Sequence, residues 1–177
     1  GKNKGGGPSR EERRLLELDG LTPEHFVLTR SPSGTYGRRD GVTDASTYLE
    51  LRNALTAVGF TDEERMDVFE IASGLMHLGN ATFEEVRSGG SGIDGHDRVV
   101  LNRSEEGSRS SLGSACRLLG VNVDDLEAGL TTAVIEAGGG GSSSVAGGGG
   151  GRRGSQERVR TYLDGPRSKK ALEALLK

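Results

Sequence analysis

The sequence predicts a mainly α fold with a few short β-strands, and three observations carry that prediction. Several stretches repeat apolar residues at three- and four-residue steps, the spacing of one helix face. The runs that suit strands are only four to seven residues long and are bounded by turn-forming residues. The composition is spare, with 32% hydrophobic residues, 30 glycines and no Trp in 177 residues, so any core must be small.

The most strongly marked element is Thr61–Asn80. Thr61 with Glu64 three residues on spells a capping box, and Asp62 and Glu63 suit the positive end of a helix dipole. Val68, Ile71, Ala72, Leu75 and Leu78 share one face, which is expected to be buried. Met66, Phe69 and Met76 widen that face until only a narrow polar strip is left. His77 in the last turn and Gly79 after it suit a helix end.

The other elements follow in order. Gly1–Ser9 is rich in Gly and Lys and is expected to be disordered. Ser9–Glu12 opens a short helix expected to run through Leu18. Ser31–Asp40, with Pro32, Gly34 and Gly37, reads as turns. Asp44 is expected to cap a helix that Gly59 ends, with Tyr48, Leu51, Leu55 and Val58 on one face. This helix and Thr61–Leu78 then form a helical hairpin. Ala81–Val86 and Arg98–Leu101 are the first pair of strands. Leu112, Ala115, Cys116 and Leu119 mark a helix stopped by Gly120, and Val123–Leu130 marks the next. Gly138–Gly154 is a Gly/Ser tract that cannot bury apolar surface and behaves as flexible coil. Ala133–Ala137 and Glu157–Leu163 flank it as strands, and a last helix is expected to start near Lys169. The expected organisation is a tail over 1–9, a helical segment over 10–137, the flexible loop over 138–154, and a returning strand and helix over 155–177.

Gly59-Phe-Thr-Asp-Glu-Glu-Arg-Met-Asp-Val-Phe-Glu-Ile-Ala-Ser-Gly-Leu-Met-His-Leu-Gly-Asn80 resembles the myosin motor-head pattern G-F-s-x-x-E-x-x-x-i-F-x-i-l-A-a-i-L-H-L-G-N. Leu21-Thr-Pro-Glu-His-Phe-Val-Leu28 is similar to the family's L-t-P-E-x-F-x-Y-L. Leu118-Leu-Gly-Val121, Leu126, Leu130-Thr131 and Ile135 follow the family's later pattern. The match extends from about Arg10 to Ala137 and is weaker from Glu157 to Lys177, where the family's R-D pair is missing. The resemblance implies a partial motor-head subdomain from the actin-binding half of the head, between its two nucleotide switches. The parent would be an ATP-driven motor on actin filaments, cytoplasmic and cytoskeletal, using ATP and Mg.

No such chemistry is expected of this stretch alone. The family's phosphate loop G-x-x-x-x-G-K-[ST] and its switches N-x-N-S-S-R-F-G-K and D-x-x-G-F-E do not occur in the sequence. Such a loop is needed because backbone N–H groups and a lysine cradle the phosphates while a hydroxyl holds Mg. No catalytic, cofactor or metal residue is therefore expected here. The alternative is a non-catalytic helical interaction module derived from a myosin head.

Smaller motifs read more simply. Gly90–Gly95 spells G-x-G-x-x-G, but a strand-like stretch follows where phosphate binding needs a helix, so a surface loop is expected. His77 has no nucleophile or orienting carboxylate at a usable spacing and reads as a packing or capping residue. His25, His77 and His96 lack a metal spacing, and Cys116 reads as a small core residue. Arg152 and Arg153 are the one basic pair in the flexible loop. By the resemblance, this loop faces actin, whose acidic surface would attract them.

The bulk properties exclude other classes. A net charge of −3 argues against a general nucleic-acid binder, and no apolar run is long enough for a membrane span. One cysteine excludes an internal disulfide. No secretory signal is visible, so an intracellular protein is expected. The chain opens on Gly1 rather than Met, and a piece of a longer protein is the expectation.

Overall fold

The computed structural model describes residues 7–36, 40–86, 98–104, 106–137 and 157–177, leaving aside the side chains of 106–109, 136–137 and 157–159. The described residues are mainly helical, with two small antiparallel sheets.

Helix α1 (Arg10–Leu15) starts at Ser9, whose Oγ accepts from the Glu12 N–H at 3.1 Å while Glu12 Oε2 accepts from the Ser9 N–H at 2.6 Å. It ends three residues before the expected Leu18. Glu17 takes a left-handed conformation at φ 58°, and the Leu18 N–H turns back to the Arg13 carbonyl at 2.7 Å. A short 3₁₀ turn follows at Pro23–His25.

Helix α2 (Asp44–Ala57) is capped by Thr43, whose Oγ1 accepts from the Ser46 N–H at 3.1 Å. Asp44, expected as the cap, is instead the first helical residue. Gly59 turns the chain at φ 102° into α3 (Asp62–Leu78). The capping box of Thr61 and Glu64 forms as the spacing predicts. The two helices meet through Tyr48 and Phe69, ring centroids 5.2 Å apart, and Arg52 reaches Glu12 at 3.4 Å. None of α2 is buried: Leu51 and Val58 are exposed, Tyr48 and Leu55 half-buried.

The buried face of α3 is not the expected one. Arg65, Ser73, Gly74, His77 and Leu78 are buried, whereas Val68 is 37% exposed, Ile71 53% exposed and Ala72 also exposed. Leu75 is half-buried. The reason is that apolar residues nearly encircle this helix, so periodicity does not choose the contact side. Close approach does. A Cβ on Gly74 would lie 2.7 Å from Leu119 Cγ and 3.2 Å from Leu118 Cβ, so only glycine lets helix α4 (Glu106–Leu119) pack this near. Buried Arg65 is tied to Asp62 and to the Phe60 carbonyl.

Strand β1 (Phe83–Val86) pairs with β2 (Arg98–Leu101), Phe83 opposite Leu101 and Val86 opposite Arg98. Helix α4 is followed by Gly120 at φ 64° and by α5 (Val123–Thr131), which Asn122 caps. Strand β3 (Thr132–Ala137) pairs with β4 (Glu157–Tyr162). The last helix, α6 (Gly165–Leu175), starts four residues before the expected Lys169. Asp164 caps it, its Oδ1 accepting from the Arg167 N–H at 2.8 Å, and Pro166 sits in the first turn. The main core gathers Leu78, Leu101, Leu112, Ala115, Leu130 and Leu172. No helix among the described residues is long and apolar enough to cross a membrane.

Candidate functional site

The run His77-Leu-Gly-Asn80 is where the N-terminal segment, α3 and α4 converge, and each residue has its own task. His77 is 3% exposed; its ring stands edge-on to buried Phe26 at 5.1 Å. A backbone carbonyl can only accept, so His77 Nε2–H donates to the Glu17 carbonyl at 3.1 Å. Burial pushes the His77 pKa below its ordinary 6.5, against the opposing pull of the Glu17 carbonyl and charge. Leu78 is fully buried in the main core. Gly79 lies under Leu28, whose Cγ would stand 2.8 Å from an added Cβ. Its backbone is ordinary right-handed helix, so close approach to Leu28, not turn geometry, calls for glycine. Asn80 closes the joint. Its Oδ1 accepts from the Val27 N–H at 2.9 Å, and its Nδ2 donates to the His25 carbonyl at 2.8 Å and to Ser111 Oγ at 3.3 Å.

Glu17 completes the convergence. Its carboxylate takes Arg117 Nε at 2.9 Å and Nη2 at 2.7 Å, and Ser114 Oγ donates to it at 3.3 Å. Ser73 Oγ donates to the neighbouring Leu16 carbonyl at 2.6 Å. The end of α1 is thus fixed to both α3 and α4. Around this joint lies an open cavity of about 520 Å³, lined among others by Glu17, Phe26, Val27, His77, Asn80 and Ser111. Sequence reasoning placed His77 as a packing or capping residue, and its buried contacts are of that kind. It missed Glu17, whose partners lie about a hundred residues away and leave no local signal.

The second region is the β3–β4 hairpin. Thr132 stands opposite Tyr162 at its root and Ala137 opposite Glu157 at its far end, so residues 138–156 connect the tips. The Leu163 N–H donates to the Thr131 carbonyl at 2.7 Å and anchors the root beside α5. Val134, Ile135, Arg160 and Tyr162 are exposed. Arg152 and Arg153 lie outside the described residues, as do the Gly138–Gly154 tract, residues 1–6 of the tail, the 90–95 glycine motif and His96. Cys116 is half-buried, and burial pushes its thiol pKa up, which suits a packing role rather than a nucleophile.

The donors among the described residues do not fit Mg-ATP. Among the described residues no group of three or more His, Cys, Asp or Glu converges to hold a metal. No glycine run in the chain is followed by lysine and a hydroxyl residue. No chemical step is therefore assigned to these residues.

The described residues thus form a mainly helical scaffold with two antiparallel strand pairs and a helix end tied down by His77 and Asn80. The family model for the myosin head (motor domain) matches residues 6–177, and the chain belongs to that family. It is 36% identical over 122 residues to unconventional myosin IC of Drosophila melanogaster, covering 69% of this chain and 10% of that protein. It is 38% identical over 125 residues to myosin-5 of Arabidopsis thaliana, covering 71% and 7%. Unconventional myosin-VI of Homo sapiens is 35% identical over 92 residues, covering 52% and 6%. The chain thus spans a tenth or less of the length of these relatives.

Proposed function

We propose that these residues serve within an actin-based motor head whose complete form couples ATP hydrolysis to movement on actin filaments in the cytoplasm. The observation that carries this reading is the motor-head match over residues 6–177. The chain contributes scaffold and an actin-facing hairpin, while ATP and Mg are held by parts of the head outside these residues. The missing phosphate-loop and switch motifs support that division. The outward apolar stripe of Val68, Ile71 and Ala72 supports packing against further parts of a head, since a lone helix gains nothing from exposing it.

Arg152 and Arg153 are proposed to steer the encounter with acidic actin from the connection between β3 and β4. A long Gly/Ser connection makes a poor rigid contact, because ordering each residue on binding costs roughly 1–2 kcal/mol. Charge acts without that ordering, over about 8 Å at physiological salt. The test is stopped-flow actin binding by the full-length protein. Changing both arginines to Ala slows association at low salt, and the difference vanishes at high salt. Faster dissociation at every salt concentration would instead mean a docked contact and would refute steering. A second measurement titrates the 177-residue chain with Mg-ATP by calorimetry, where saturable micromolar binding would overturn the scaffold assignment.

A further inference from the structure

One wall of the open cavity of about 520 Å³ is the turn from His25 to Arg30, which the chain clamps at three points. Thr29 Oγ1 donates to the Pro23 carbonyl at 2.8 Å, Arg30 Nε to the Glu24 carbonyl at 3.0 Å, and Asn80 Nδ2 to the His25 carbonyl at 2.8 Å. This fixed turn presents donors without acceptors. The Thr22 N–H donates to His25 Nδ1 at 3.0 Å, so the ring proton sits on Nε2, which has no partner among the described residues. Arg30 uses only Nε, on a carbonyl; its charge meets no carboxylate among the described residues, and both Nη groups are left over. Both side chains are exposed and line the cavity. Ser111 Oγ, on α4, accepts from the same Asn80 Nδ2 at 3.3 Å, which ties it to the His25 end of the turn. No acceptor among the described residues takes its O–H.

The charges select the ligand. Glu17 and Asp19 also line the cavity, but Arg117 takes Glu17, and Arg10 and Arg14 both take Asp19. Two carboxylates thus face three guanidiniums before Arg30 is counted, and the surplus favours an anion. Guanidinium, imidazole and hydroxyl donors on separate side chains suit the several oxygens of a phosphate better than the two coplanar oxygens of a carboxylate. We infer that this cavity is a binding site for a small phosphate monoester. Its phosphoryl oxygens accept from the Arg30 Nη groups, His25 Nε2–H and the Ser111 hydroxyl, and its organic part lies over exposed Leu21 and Val27. The volume is in the range of small-molecule sites. Such a ligand would join the N-terminal segment to α4 beside the end of α3. The inference stands apart from the motor reading, since it uses neither ATP nor a metal.

The test uses the full chain labelled with ¹⁵N, in EDTA at constant ionic strength, with phenyl phosphate as the probe and benzoate as its carboxylate counterpart. Phenyl phosphate is expected to shift the His25 ring nitrogens and the Arg30 and Ser111 amides saturably. The expected Kd is on the order of 1 mM, well above the micromolar range that tests Mg-ATP, so the two measurements fail separately. Benzoate should bind several-fold more weakly. Arg30→Gln should weaken phenyl phosphate about tenfold or more, the worth of a charge-assisted hydrogen bond. Lys170→Gln, which removes the same charge from exposed α6, should leave binding unchanged. If Arg30→Gln loses its dispersed spectrum, Ser110→Asp replaces it: Ser110 is exposed on α4 and lines the cavity, and a carboxylate there should repel the probe. Equal binding of phenyl phosphate and benzoate, equal effects of the Arg30 and Lys170 changes, shifts confined to other parts of the chain, or binding that survives Ser110→Asp would each overturn the assignment.

Discussion

Glu17 and His77 show how single residues carry tertiary information. Glu17 occupies a left-handed position that favours glycine, at a cost of about 1 kcal/mol. What it gains is an ion pair with Arg117, worth about 0.2–1 kcal/mol at this partly exposed site, and the bond from Ser114. Glu17→Gly is therefore expected to change stability by less than about 1 kcal/mol, because strain relief offsets the lost pair. A double-mutant cycle with Arg117→Ala should still return a favourable coupling; zero coupling would mean the pair does nothing. His77 makes a pH prediction. Its folded pKa lies below 6.5, so near and below that pH the unfolded chain binds more protons than the folded one. Its contribution is present above about pH 6.5 and is lost as pH falls toward the folded value, at no more than about 1.4 kcal/mol per pH unit. Urea unfolding from neutral to mildly acidic pH checks this, and His77→Gln should flatten that part of the profile. Glu12 and Glu64, whose carboxyls are held below 4.5 mainly by backbone N–H bonds from Ser9 and Thr61, add a further loss only at lower pH.

Among the elements, α3 decides most. Its two sides make opposite predictions, and the measured contrast separates them. Leu78→Ala, at full burial, is expected to cost about 2–5 kcal/mol through lost transfer energy and a cavity. Ile71→Ala, half exposed, should cost clearly less in this chain. Equal losses would mean that the stripe of Val68, Ile71 and Ala72 is covered. Gly74→Ala pushes a methyl against Leu119 and Leu118, so α3 and α4 must separate. Overpacking of about 1–3 kcal/mol should exceed the roughly 1 kcal/mol that Ala gains in helix propensity, leaving a net loss in the unfolding midpoint. The β3–β4 pair is joined by a connection much longer than its pairing requires. Closure cost rises by only about 0.6 kcal/mol per doubling of loop length, so replacing 138–151 by a two-residue turn should leave circular dichroism and melting nearly unchanged.

At the scale of the molecule, local chemistry made much of the fold legible. The capping box at Thr61 and Glu64, the start at Ser9 and the turns at Gly59 and Gly120 each rest on residues close in sequence, and the strand pairs join strands that follow one another in the chain. Shifts of a few residues came where local signals competed: Thr43 took the cap from Asp44, and Asp164 with Pro166 started α6 early. The family was legible too, because His77-Leu-Gly-Asn80 and its neighbours keep their spacing.

The sequence by itself determined the order of the helices, the starts at Ser9 and Thr61, the hairpins and the family, since capping, turn chemistry and periodicity act over a few residues; the end of α1 and the start of α6 lie three and four residues from where the local signals put them. Only the tertiary structure decided which side of α3 is buried, why Gly74 and Gly79 must be small, and what Glu17 and Asn80 hold. Those facts depend on Leu28, Ser111, Leu119 and Arg117, which lie about thirty to a hundred residues from the groups they meet. Nothing in the local pattern of a nearly all-round apolar helix tells it which neighbour will arrive.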